Sequence, residues 1–342
     1  MPRAKLSALV LSLLSTALLS AQQPENHRQV PPHVLEPFWP ERDSPKLTTP
    51  DWIGEKGVDA AITISIDDMR DTKKYEVFIR PILEKLKEVS GGRAPFSIFT
   101  CEVPPDDPQL QAWLKEGVSM EVHTLKHPCP LLQKGDFVAA KATVDGCIDL
   151  LSQIPGGKPV CFRMPCCDSM SSPSPRFYAE VFHKTTPAGN FLTLDSSVAC
   201  ILTSKDKTVP GGLSMDAQGR ERFWKYYSPQ PANAVKSMQN FGTYIEDYPY
   251  PYVIGERCWE LPITMPSDWL AQNFQGKSNP ETVGDWKAAL DIIVQKKGMM
   301  NLCIHPHGWI QAAQMVEFIQ YAHEKYGSRV KFLSMRDAGE KL

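Results

Sequence analysis

Four short stretches of this chain carry residues whose types and spacing could do chemistry. In the first, Asp67 and Asp68 close an apolar run. Two adjacent carboxylates repel each other unless a cation or several donors lie nearby. A solvated turn is the plain alternative, because Asp is common in turns. The second stretch is His123-Thr124-Leu125-Lys126-His127. Histidines four apart bring their rings to one face if the chain makes a helical turn, and neutral imidazole is the commonest metal ligand side chain. Two histidines and one carboxylate, with a further position left open, form the pattern of catalytic zinc. His123 and His127, with a carboxylate of the Asp67-Asp68 pair, are therefore candidate ligands of one divalent metal, zinc first. Incidental surface histidines are the competing reading, and the chain has only eight histidines in all.

The third stretch is Phe162-Arg163-Met164-Pro165-Cys166. An arginine there can orient a carboxylate through its fixed fork of donors, or make an ordinary surface ion pair. The fourth is Cys303-Ile304-His305-Pro306-His307, where a histidine can act as general acid or base. His305 is the first candidate, His307 the rival, and a structural histidine the bland reading of either.

The elements that must position these residues follow from hydrophobic periodicity. Apolar runs at 61–66, 96–103, 118–123, 160–163, 191–198, 258–263 and 300–305 read as strands, with a short one at 330–333. Helical spacing appears at 75–89, 141–151, 282–297 and 310–326. Strand–helix alternation implies parallel strands with right-handed crossovers. The expected fold is an α/β distorted barrel of about seven parallel strands, related to the TIM barrel. An open doubly wound sheet would normally bind a nucleotide through a glycine-rich first turn, whereas the first strand here ends in Asp67-Asp68. Pro155-Gly156-Gly157-Lys158 lacks phosphate-loop spacing and reads as a turn. All four chemical stretches fall at C-terminal ends of expected strands, the face on which barrel enzymes carry their active sites.

Outside the barrel, Arg3 and Lys5 precede an apolar run and then small residues, the layout of a signal peptide over residues 1–21. The run is short for a membrane span, though an uncleaved anchor is the alternative. The expected product is exported, periplasmic or secreted, without a stable span after cleavage. Residues 22–58 hold seven prolines and read as an extended lead-in, neither helix nor central strand. The catalytic region is then 59–342, interrupted at 204–256 by an insertion holding nine of the chain's 32 aromatics. Those rings suit stacking on sugars, or packing of the loop onto the barrel. Lys plus Arg (37) nearly balances Asp plus Glu (39), and no basic stripe appears, so nucleic acid is not an expected partner. An oxidising compartment permits disulfides, but nine cysteines are odd in number, so at least one stays unpaired or pairs between chains.

The set of motifs resembles the polysaccharide deacetylase family, carbohydrate esterase family 4. Asp67-Asp68, His123-Thr124-Leu125-Lys126-His127, Arg163-Met164-Pro165 and His305 stand in that family's order and spacing from about residue 60 to 310. The histidine motif matches in full. The resemblance implies a metal held by Asp68, His123 and His127, with Asp67 as general base, Arg163 as its orienting partner and His305 as general acid. It further implies removal of acetyl groups from an acetylated polysaccharide or oligosaccharide. Departures occur at Ser65, at Cys166 in place of an aromatic, and at Cys303 in place of a leucine. The acidic partner of the late histidine is open between Glu260 and Asp268. Two other functions remain: an amidohydrolase acting on a small cyclic or linear amide, and a non-catalytic carbohydrate-binding relative.

Overall fold

The computed structural model describes residues 39–167, 173–227 and 242–342. The expected signal peptide, residues 22–38 of the lead-in and Phe241 lie outside them. Twelve strands are found among the described residues: β1 (Ala60–Met69), β2 (Ser97–Thr100), β3 (Ser119–Val122), β4 (Cys161–Phe162), β5 (Leu194–Asp195), β6 (Ala199–Ile201), β7 (Tyr244–Glu246), β8 (Tyr252–Ile254), β9 (Cys258–Glu260), β10 (Ile263–Thr264), β11 (Met299–Ile304) and β12 (Val330–Leu333).

The main sheet runs β11-β1-β2-β3-β4-β5-β9-β8. Its first seven strands are parallel, and β8 returns antiparallel along β9. Strand β1 has three partners. One edge pairs with β11, while the other pairs first with β12 and then with β2. Strands buried on both faces read as continuous apolar runs rather than alternations, which is why β1 and β11 were legible in the sequence. On the outer face, Tyr75, Ile79, Ile82, Leu83 and Leu86 of the helix Thr72–Val89 are buried at helical spacing. Each such side chain contributes roughly 1.5–3 kcal/mol when taken out of water.

The sheet curls without closing by a ladder. The gap beyond β11 is bridged by polar contacts of Asn301. Its Nδ2 donates to the Leu261 carbonyl (2.9 Å), and its backbone N–H donates to Thr264 Oγ1 (3.1 Å). The expected distorted barrel of about seven parallel strands is therefore present, with a polar seam in place of the final strand pair.

Several expected elements differ. The strand expected at 191–198 is cut to β5, and the chain then enters a second, three-stranded sheet, β10-β6-β7. The strand expected at 258–263 is likewise divided between the two sheets as β9 and β10. A helix at Pro108–Glu116, capped by Asp107 and burying Leu110 and Trp113, was not anticipated; two apolar contacts in nine residues leave little periodicity to read. The lead-in is not wholly extended. Thr49–Ile53 forms one helical turn with Pro50 in its first turn, where the missing N–H costs nothing. It buries Trp52 and Ile53 against the barrel end. In the insertion, Phe223, Tyr226, Tyr248, Tyr250 and Tyr252 are buried, so these rings pack the loop rather than face solvent.

A candidate metal centre beside an acid–base pair

Strand β1 does not stop at Ile66. It continues to Met69 through an irregularity between Ile66 and Met69, and Asp68 there has φ +67°. A bulge adds a residue to one strand and re-aims the side chains around it. This local feature gives the two aspartates different surroundings.

Asp67 is buried at 1% exposure. Its Oδ1 accepts a hydrogen bond from Arg163 Nη1 at 2.8 Å, and its Oδ2 accepts one from Cys303 Sγ at 3.2 Å. The Tyr75 hydroxyl donates to its carbonyl at 2.5 Å. Burial opposes ionisation of Asp67, but the Arg163 charge outweighs it and holds the carboxyl below its ordinary range. Asp67 is thus a carboxylate in the pH range where a general base would work.

Arg163 is fully buried, which rules out the surface ion pair considered from sequence. Its guanidinium also donates to Ser65 Oγ (2.7 Å), the Ser196 carbonyl (3.1 Å) and Ser196 Oγ (2.9 Å), and lies 4.0 Å above the Phe99 ring. Ser65 is two residues before Asp67, so both face the same side of the strand. The sequence held that clue. The contributions of Ser196 and Asn301 carry no comparable sequence signal beyond being polar residues beside apolar runs.

Asp68 faces the other way, toward the histidines. His123 Nε2 lies 3.4 Å and His127 Nε2 2.8 Å from Asp68 Oδ1. The two rings come together without a helical turn. Thr124 and His127 take left-handed backbone conformations (φ +66° and +55°), and Thr124 Oγ1 accepts the His127 N–H at 3.0 Å. Ring centroids are 4.9 Å apart. A third histidine, His307, sets its Nε2 3.1 Å from Asp68 Oδ2. Burial opposes ionisation of Asp68 as well, yet contacts from His123, His127 and His307 drive its pKa far below the usual range.

The chemistry of this donor set fits a divalent cation. His123 Nδ1 lies 2.8 Å from the Arg163 carbonyl, so Nδ1 carries the proton and donates it. A neutral ring then presents the lone pair of Nε2 toward Asp68 Oδ1. That oxygen is buried and lacks a hydrogen-bond partner of acceptable geometry. With that ring neutral, two electron-rich atoms face each other, and a cation between them would offset their repulsion. A ligand histidine whose other nitrogen donates to a carbonyl is the usual arrangement around metals. The ligand atoms of Asp68, His123 and His127 all lie within 4.8 Å of one another.

His305 follows β11 and stands beside Asp67; their reactive atoms and Cys303 Sγ lie within 4.8 Å. The choice between Asp268 and Glu260 as its partner is settled by distance. His305 Nδ1 lies 2.8 Å from Asp268 Oδ1, and its backbone N–H donates to Asp268 Oδ2 at 2.7 Å. Burial disfavours the imidazolium, but the Asp268 charge and hydrogen bond, together with Asp67 and Asp68, push the His305 pKa up to about 10. Glu260 instead lies opposite Asp195 across the β5–β9 pair, where burial and then the Asp195 charge raise its pKa. His307 approaches Asp68 and comes within 3.4 Å of Lys74 Nζ.

A cavity of about 250 Å³ opens above these groups. Its walls include Trp269, Trp309, Met265 and Leu270, and a disulfide between Cys129 and Cys166. No residue of the 204–256 insertion lines it among those described. Cys166, which departs from the family motif, is therefore half of a disulfide at the rim.

No family model matches the chain, and no curated protein matches it. Solved structures do. A Mycobacterium smegmatis protein named as a polysaccharide deacetylase aligns over 88% of this chain and 94% of its own, at 17% identity and a TM-score of 0.53. The Puue allantoinase aligns over 84% and 91%, at 14% identity and a TM-score of 0.49. The peptidoglycan deacetylase PdaC from Bacillus subtilis aligns over 82% and 90%, at 14% identity and a TM-score of 0.36. The chain has the fold of the polysaccharide deacetylases, a conclusion that rests on the first of these matches and agrees with the resemblance of its motifs.

Proposed function

We propose that this protein is a metal-dependent hydrolase that removes acetyl groups from an acetylated glycan. The observation that carries the reading is the pairing of two adjacent sites at one barrel end: Asp68, His123 and His127 converging on one point, and Asp67 facing His305 beside it. Asp68, His123 and His127 would hold the ion, with zinc suited to two imidazoles and a carboxylate. A divalent ion there would polarise the acyl oxygen and lower the pKa of water from 15.7 toward about 7.

The remaining steps belong to the chain's own residues. Asp67, kept ionised by Arg163, accepts the proton of the attacking water at Oδ1 or Oδ2. Arg163 cannot take that proton itself, because its guanidinium stays charged. His305, protonated because Asp268 engages its Nδ1, donates from Nε2 to the leaving amine or alcohol. A purely carbohydrate-binding relative would need neither Asp67 nor His305.

One observation favours a second reading, hydrolysis of a small cyclic or linear amide. The cavity is compact, and two tryptophans and a disulfide wall it where a long polymer would need an open groove. Acetate release from chitin oligomers, peptidoglycan and acetylated xylan, run beside hydrolysis of small cyclic amides, separates the two. Metal analysis of the same sample should find close to one divalent ion per chain. Activity on small amides with none on any glycan would replace the first reading by the second. Full activity in a metal-free sample would remove both.

The basic head and apolar run at residues 1–21 support export of the protein to the periplasm or medium. No helix among the described residues is long and apolar enough to cross a membrane. Sequencing the N-terminus of the protein recovered from the producing cells tests this; a start at Met1 in the cytosolic fraction would refute it.

A further inference from the structure

The two metal-site histidines are held in place by different means. His123 is buried at 1% side-chain exposure, and its ring is fixed by the Arg163 carbonyl. His127 is 20% exposed and sits on a loop at φ +55°, a conformation that an L-residue keeps only when its surroundings impose it. Thr124 supplies one constraint through the His127 N–H. The other lies two residues on. Cys129 is bonded to Cys166, which stands three residues after Arg163 and is itself at φ +62°. The bond therefore ties the loop after β3 to the loop after β4 at the cavity rim, immediately beside the less buried histidine.

We infer that the Cys129–Cys166 disulfide is the positioning element for His127, and that it sets the metal affinity of the site. The inference rests on the metal reading above. Without the bond, the β3 loop keeps Thr124 but loses its tether to the β4 loop, and His127 samples positions away from Asp68 Oδ1. His123 keeps its place through its buried ring contact to the Arg163 carbonyl, and Asp68 through its position in β1. Losses of supporting contacts around metal ligands typically cost about 10–100-fold in affinity.

The test is zinc affinity, measured by competition with a chromogenic chelator. The proteins are the wild type, Cys129→Ser/Cys166→Ser, His127→Ala and the triple variant, each checked for an intact fold by circular dichroism. The double-cysteine variant should bind zinc at least about tenfold more weakly. In the His127→Ala background, removing the disulfide should change affinity by less than about twofold, since both act through one ring. A purely structural disulfide would give the same further loss in both backgrounds. Should the double variant fail to fold, selective reduction of the folded wild type by a phosphine replaces it, because Cys129 is exposed. Unchanged affinity without the bond, or equal losses in both backgrounds, would overturn the inference and leave the metal reading standing. A wild type with no measurable zinc affinity would overturn both.

Discussion

Asp67 and Asp68 differ in what they touch, and their amide variants should differ accordingly. Asp67→Asn loses the proton acceptor but keeps a side chain of the same shape between Arg163 and Cys303. Its rate should fall by about 10²–10⁴-fold with metal content unchanged. Asp68→Asn should lose both metal and rate, since a neutral amide is a poor substitute where two imidazole nitrogens face one carboxylate oxygen. Metal stoichiometry measured beside turnover decides between them; metal lost from Asp67→Asn and kept by Asp68→Asn would reverse the roles. His305 makes a second prediction. Its raised pKa keeps the acid form present at neutral pH and below, and that form is lost as pH rises through about 10. Asp268→Asn removes the largest of the influences that raise it, so the alkaline limb of the pH–rate profile should move to lower pH. A limb that stays where it is in Asp268→Asn, together with a normal rate in His305→Asn, would transfer the acid role to His307.

At the scale of elements, the site depends on strand ends and the caps beside them. The helix Asp268–Gln275 starts where Ser267 Oγ accepts the Leu270 N–H at 3.3 Å, and Asp268 in its first turn reaches back to His305. Ser267→Ala should lower stability by about 0.5–2 kcal/mol, read by thermal or urea denaturation. Because the same turn aims Asp268, the variant should also shift the alkaline limb in the direction of Asp268→Asn, though less far. A stability loss with an unmoved limb would show that the cap and the aim of Asp268 are independent. The bulge in β1 has the opposite character: it belongs to a strand that pairs with β2 on one edge and β11 on the other. The aspartate pair is thereby built on a strand buried at all its positions but Asp68.

For the whole molecule, a bound ion that prefers the folded state stabilises it in proportion to the logarithm of its concentration over its Kd. At a hundredfold excess over Kd the gain is about 2.7 kcal/mol. Adding zinc to chelator-treated protein should therefore raise the melting temperature by several degrees, since 1 kcal/mol shifts a domain of roughly this size by about 2–4 °C. His123→Ala should remove most of that response. An equal rise in His123→Ala would mean that zinc binds elsewhere, for which six buried cysteines outside disulfides among the described residues are candidates. The open seam beyond β11 is also a property of the whole fold. Asn301 there joins the sheet edge to Arg163 and Ser196, so the barrel's closure and the placement of Arg163 share one residue.

From the chain alone come the main parallel strands of the barrel, the helical spacing of its longer helices and the grouping of Asp67, Asp68, His123, His127, Arg163 and His305 at strand ends on one face. Those features are written in local periodicity, and parallel strands place successive C-terminal ends on one face. Tertiary structure alone decided the rest. Asp268 rather than Glu260 supports His305, because two residues eight apart in the chain diverge once β9 and the next helix enter different layers. The aromatic excess at 204–256 is largely buried, and Trp269 and Trp309 wall the cavity instead; composition counts rings but does not aim them. The pairing of Cys129 with Cys166 was equally closed to sequence, since nine cysteines admit many partners and only the meeting of two loops selects one. His127 reaches Asp68 through left-handed backbone turns, not the helical turn that its spacing suggests, because Thr124 and the chain after His127 shape the loop.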